Sequence, residues 1–118
     1  MAAARIVPNR YTGDPKAGAG FFNDVLGLET AMAMDFITIY RSAAQPMAQI
    51  SILSEDPSGL RPAYSVGVDD VDAVHARAIE AGHEIVYALR DEPWGVRRFF
   101  VRDPLGDIAN IVQNKDRV

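Results

Sequence analysis

The residues of this chain that could do chemistry are few, and most have a structural job to hand. Zero cysteines leave no thiolate nucleophile, no thiolate metal ligand and no disulfide framework. Two histidines remain: His75 sits near an apolar helical stripe, and His83 follows the glycine that ends that stripe. The carboxylates divide in the same way. Asp14 and Asp70 stand where helix caps belong, Asp103 opens a turn, and Glu29 and Glu84 begin strands. A general acid or base needs a pocket and a shifted pKa, and nothing in these positions supplies either. What is left is chemistry of recognition. Period-two alternation puts Gln49 with Ser51 on one strand face, and Asn110 with Ile108 and Val112 on another. Trp94 lies in a Pro-Trp-Gly loop, and the adjacent Arg97 and Arg98 must point to opposite faces of their strand. An inward arginine could pair with an anion or stack on a ring.

The elements that must position these residues occur twice. Asp14-Pro15 opens an apolar-periodic stretch that stops at Gly27, with Gly18, Phe21, Phe22 and Val25 at helical spacing. Asp70-Val71-Asp72 opens another that stops at Gly82, with Val71, Val74, Ala78 and Ile79 as its apolar face. Strands are predicted before each helix, at 5–11 and 64–68, and three after each: 29–34, 37–41 and 48–53, then 84–87, 97–101 and 108–112. The order is βαβββ, twice. A unit of about 55 residues is too small to hold a good core alone, so the copies must pair, and function is expected between them. The chain reads as a single α+β domain with module one at 1–54, a Pro- and Gly-bearing linker at 55–62 and module two at 63–118.

Composition narrows the function classes. With 48% hydrophobic and 24% charged residues the chain is ordinary globular protein. A net charge of -4 and a pI near 5.0, with the basic residues scattered, argue against a nucleic-acid footprint. No apolar run approaches the roughly 18 residues of a membrane span and no signal peptide is visible, so no membrane partner and a cytoplasmic location are expected.

Four stretches carry a resemblance: Phe21-Phe22-Asn23-Asp24-Val25-Leu26-Gly27-Leu28, Val68-Asp69-Asp70-Val71-Asp72, Pro93-Trp94-Gly95-Val96-Arg97-Arg98-Phe99 and Arg102-Asp103-Pro104-Leu105-Gly106-Asp107. In order and spacing they resemble the vicinal oxygen chelate superfamily, which includes glyoxalase I, extradiol dioxygenases and bleomycin-resistance proteins. The resemblance implies two βαβββ modules whose mixed sheets curve around a cavity. It also implies a divalent metal held by His, Gln or Glu from the first and last strand of each module. Counting seven residues back from each capping Asp reaches Val7 and Ala63, and the last-strand positions carry Gln49 and Asn110. One plausible ligand among four falls short of a transition-metal site, so neither metal nor cofactor is expected.

Without a metal, a cavity of this kind holds a small organic molecule by shape, stacking and a few hydrogen bonds, as bleomycin-resistance-like relatives do. The candidate ligand-binding residues are Trp94, Tyr40, Tyr64, Phe36 and Phe99, with Gln49, Ser51, Ser65 and Asn110 as polar handles. The preferred reading is a metal-free, homodimeric protein binding an aromatic or antibiotic-like molecule. A glyoxalase-like lyase or dioxygenase with ligands elsewhere, and a catalytically silent partner subunit, are the alternatives.

Overall fold

The computed structural model describes residues 3–115, and the order of its elements is the duplicated one. Strand β1 (Ala3–Tyr11) leads through a π-helical segment (Gly20–Val25) to β2 (Glu29–Met34), β3 (Ile37–Arg41) and β4 (Gln49–Leu53). Strand β5 (Tyr64–Val68) leads through helix α1 (Val71–Glu80) to β6 (Ile85–Asp91), β7 (Val96–Arg102) and β8 (Ile108–Asn114). The chain divides into two compact units, one of Ile6–Arg61 and one that takes Pro62 onward together with the opening residues through Arg5.

In the Ile6–Arg61 unit the strand order is β2-β3-β4-β1. Strands β2, β3 and β4 are antiparallel neighbours, whereas β1 runs parallel to β4 with Asn9 opposite Ser51. The Pro62 unit repeats the plan as β6-β7-β8-β5, with β5 parallel to β8 and Ser65 opposite Asn110. A parallel pair cannot be closed by a tight turn, so each module needs its helical crossover.

Helix α1 forms as its sequence predicts. The Asp70 carboxylate accepts from the Ala73 amide at 3.1 Å, and the Val71 amide donates to Gln113 Oε1 on β8 at 2.9 Å. The helix thus starts docked on the strand it must cover. Val71 and Phe99 are wholly buried and form a core with Ala109 and Ile111, against which Val66, Val74, Ala78 and Ile85 pack. Burial of each large apolar side chain here contributes about 1.5–3 kcal/mol.

The first module departs from expectation. A helix predicted from Asp14 to Gly27 shrinks to Gly20–Val25 and buries no residue. Asp14 turns its capping capacity on a local turn, accepting from the Lys16 amide at 3.2 Å, while its carbonyl accepts from Ala17. The Leu26 amide then donates to Phe21 O, five residues back, at 3.0 Å. That winding breaks the three-and-four spacing on which a single apolar face depends. Phe21 and Val25 are therefore 54% and 70% exposed, while Phe22 turns to the sheet, stacked on Tyr40 with ring centroids 4.8 Å apart, and Asn23 Nδ2 donates to Thr30 Oγ1 on β2 at 3.4 Å.

The three strands that follow α1 outrun their predicted bounds. β6 continues past Tyr87 to Asp91 through a register shift between Tyr87 and Arg90 that interrupts the alternation. β7 and β6 are consequently joined by a tight hairpin whose tip is Pro93-Trp94-Gly95, closed by Glu92 N to Val96 O at 2.7 Å. Gly95 takes φ +93°, a conformation that a side chain would strain.

Candidate functional site

Strand alternation on β7 sorts the two adjacent arginines. Arg97 and Phe99 lie on the α1 side, where Arg97 pairs with Asp72 at 3.0 Å and Asp91 at 3.3 Å. The bond to Arg97 holds the Asp72 carboxyl below its ordinary range, and the same bond raises the Arg97 guanidinium. Arg98 and Phe100 take the other face. Arg98 is 3% exposed, and its Nε donates to Glu92 Oε2 at 2.7 Å. Glu92, equally buried, also accepts from Tyr87 Oη at 2.8 Å and pairs with Arg90 at 2.9 Å. Glu92 thus bridges two guanidiniums, that of Arg98 buried and that of Arg90 exposed.

Around the Arg98 guanidinium stand three rings: Phe100 at 4.8 Å, Trp94 at 5.0 Å and Tyr87 at 5.2 Å to their centroids. Trp94, at the hairpin tip, is 49% exposed. With the guanidinium buried, this contact is worth about 2 kcal/mol, which an aromatic ligand taking the place of the indole would recover by stacking on Arg98 in its turn. The Glu92 carboxylate anchors the guanidinium through its Nε.

Cross-strand register extends the cluster into rows. Ser65, Asn110, Phe100 and Tyr87 are successive partners across β5, β8, β7 and β6. Gly67, Val112, Arg98 and Arg90 form the next row. A Cβ at Gly67 would fall 2.8 Å from the Arg5 side chain, so glycine is what lets Arg5 lie across the sheet there. In the first row Asn110 Nδ2 donates to Ser65 Oγ at 3.0 Å. Asn110 Oδ1 is buried and has no hydrogen-bond partner.

The sequence-derived candidates separate accordingly. Trp94, Ser65 and Asn110 share the face turned away from α1. Phe99 lies under α1 with His75 edge-on at 4.8 Å, and Tyr64 sits on that same helix side. Its hydroxyl donates to Asp103 at 2.8 Å; burial, then that bond, push the phenol up to about 12, while the bond lowers the Asp103 carboxyl. Tyr40, Phe36, Gln49 and Ser51 belong to the other unit. Tyr40 is covered by Phe22, and Phe36 turns the β2–β3 hairpin, its carbonyl accepting from the Ser54 amide. Gln49 donates to Pro46 O, and Ser51 is buried in β4. Glu92, Tyr87 and Phe100 were not foreseen. Phe100 follows from Arg98 by alternation, but the meeting of Glu92 with Arg98 depends on the hairpin and has no local signal.

The expected metal positions do not make a metal centre. Carrying the β1–β4 register back two residues sets Val7 beside Gln49, whereas Asn110 is paired with Ser65 and not with Ala63, whose amide donates to Ile108 O. The count from the capping Asp misplaces this partner because the strand-to-Asp spacing differs by two: Val7 lies seven residues before Asp14, whereas Ser65 lies five before Asp70. Valine offers no donor atom, and a serine hydroxyl and two amides are neutral oxygens at best. Among the described residues no group of three His, Asp or Glu side chains converges. These residues do not fit a divalent transition metal.

Comparison with known proteins places the architecture. Residues 4–108 match the model of the Glyoxalase/Bleomycin resistance protein/Dioxygenase superfamily. A superfamily member from Vibrio splendidus 12B01 superposes with a TM-score of 0.70 at 23% identity, covering 93% of this chain and 97% of that one. Methylmalonyl-CoA epimerase from Mycobacterium tuberculosis gives 0.61 at 20% identity, covering 97% and 93%. A Legionella pneumophila structure described as an NAD-dependent benzaldehyde dehydrogenase gives 0.74 at 14%, covering 93% and 99%. These likenesses speak for the fold, and no curated protein matches the sequence. No helix among the described residues is long and apolar enough to cross a membrane. With its doubled βαβββ plan and a family match over nearly its whole length, the chain belongs to the glyoxalase/bleomycin resistance protein/dioxygenase superfamily.

Proposed function

We propose that this protein binds a small aromatic molecule without a metal, in the manner of the bleomycin-resistance-like branch, and that the ligand meets it at the Trp94–Arg98 cluster. The observation that carries the reading is a buried guanidinium held by Glu92 and faced by three rings, with the outermost ring half exposed at a hairpin tip. An anchored arginine is a stacking surface as well as a charge, and it is desolvated before any ligand arrives. The neutral donors at the strand positions where relatives carry metal ligands support the metal-free half of the reading.

Trp94 is the single tryptophan of the chain, so its emission reports on this site alone. Titration with planar aromatic probes should quench it, and Trp94→Ala should weaken binding by about 1–3 kcal/mol, the range for losing an aromatic anchor. A probe bound equally well by the variant removes Trp94 from the site. Stoichiometric metal in purified protein, removable by chelator and required for a catalysed reaction, would replace this reading with an enzymatic one.

The same proposal has the chain act as a homodimer. Phe21, Val25, Leu26 and Met34 leave apolar surface exposed on the Ile6–Arg61 unit, the kind of surface that pairing of subunits removes from water. Sedimentation at micromolar concentration should give twice 12.9 kDa, and a monomer contradicts it.

A further inference from the structure

We infer that the aromatic ligand carries an N–H or O–H donor, and that this donor is received by Asn110 Oδ1. The inference rests on the reading above that an aromatic molecule is taken at this face. Asn110 is nine-tenths buried, and its two amide ends are treated unequally. Nδ2 donates to Ser65 Oγ at 3.0 Å, whereas Oδ1 has no partner. A buried acceptor without a donor is a standing cost to the unliganded fold, and side chains of the same shape without polar atoms would avoid it.

The surroundings state what would satisfy it. Asn110 is the immediate cross-strand partner of Phe100, and Phe100 is in contact with both Tyr87 and the Arg98 guanidinium. Phe100 is wholly buried, so the ring enters where the half-exposed Trp94 indole lies over Arg98, and Asn110 is the diagonal neighbour of Arg98 on that face, about 7–8 Å away and within reach of a substituent on the ring's edge. A donor on that substituent satisfies Oδ1, the one polar atom of the amide that has no hydrogen-bond partner. The Arg98 guanidinium stands over Phe100, the cross-strand partner of Asn110, and its charge disfavours an ammonium donor there and favours a neutral phenol, amide or N–H heterocycle. The ligand class is therefore a planar aromatic with a neutral hydrogen-bond donor on its edge.

Two probes that differ only in the donor test this: 2-naphthol and 2-methoxynaphthalene, titrated by calorimetry into full-length protein and into Asn110→Leu. The expected result is a preference for the naphthol of roughly tenfold in the parent, the worth of one well-made hydrogen bond, and no preference in the variant. The ether should bind parent and variant alike. Where the variant fails to fold, the Asn110 side-chain amide protons of the parent carry the test. Their response to naphthol and not to the ether supports the inference, and an equal response overturns it. A preference that persists in Asn110→Leu, or equal affinity of both probes for the parent, overturns the donor assignment while leaving aromatic binding intact. Failure of the parent to bind either probe overturns the reading on which the inference rests.

Discussion

The two modules share one order of elements and differ in how their helical segments meet the sheet. In the second, α1 arrives with a cap, an amide bonded to β8 and an apolar face that seals Phe99. In the first, the Gly20–Val25 segment has no side-chain cap and buries nothing, and it is tied down by the Phe22–Tyr40 stack and by Asn23 Nδ2 donating to Leu28 O and Thr30 Oγ1. A groove of about 510 Å³ beside Arg10, Phe22, Ile50 and Ile52 marks sheet surface that a longer helix would cover. Apolar residues at helical spacing are not enough; the segment also needs a start. Asp70 provides one and Asp14, spent on a turn, does not.

Substitutions should separate the modules by size of effect. Phe99→Ala removes a wholly buried ring and should destabilise by about 3–5 kcal/mol. Phe22→Ala loses a half-buried stack and should cost clearly less, on the order of 1–2 kcal/mol, both read from denaturant melts. Equal losses would mean that the first helical segment is as firmly docked as α1. Glu92→Leu leaves the buried Arg98 without its carboxylate and should cost about 3–5 kcal/mol, as breaking one side of a buried pair does. It should also abolish aromatic binding, since the guanidinium is no longer anchored.

Smaller effects sharpen the same contrast. Asp70→Ala removes a true N-cap and should cost about 1 kcal/mol, whereas Asp14→Ala should stay within about 0.5 kcal/mol. The Tyr64–Asp103 bond gives a pH signature to the second module. The Tyr64 phenol is raised from 10.0 to about 12, so the fold favours its protonated form. That contribution is fully present below pH 10 and is lost as pH rises from 10 to 12. Asp103, lowered by the same bond, contributes above the ordinary carboxylate range and loses it on acidification. Tyr64→Phe should flatten the alkaline limb of the stability profile, and a variant that keeps the full alkaline loss would show that another group titrates there.

Much of the architecture was legible because strands and caps announce themselves locally. Glu29–Met34, Ile37–Arg41 and Tyr64–Val68 lie where alternation and flanking turns put them, and Asp70 begins its helix. The π-winding of the first helical segment was not legible, since Phe21, Phe22 and Val25 have the spacing of a helix face and only the competing turn at Asp14 undoes it. At the site, alternation separates Arg97 from Arg98 but assigns neither face. The faces follow from α1 lying over Phe99. Glu92 was invisible for the same reason: it reaches Arg98 through a hairpin whose length depends on the bulge after Tyr87.

The most direct test of the account follows the ¹⁵N-labelled protein by NMR as 2-naphthol is added. The account predicts that the largest shifts fall on the Trp94 indole N–H and the amides of Arg98 and Phe100, with the Phe22, Ile50 and Ile52 amides unmoved. Shifts centred on the groove beside Phe22, or none near Trp94 at saturation, would contradict it.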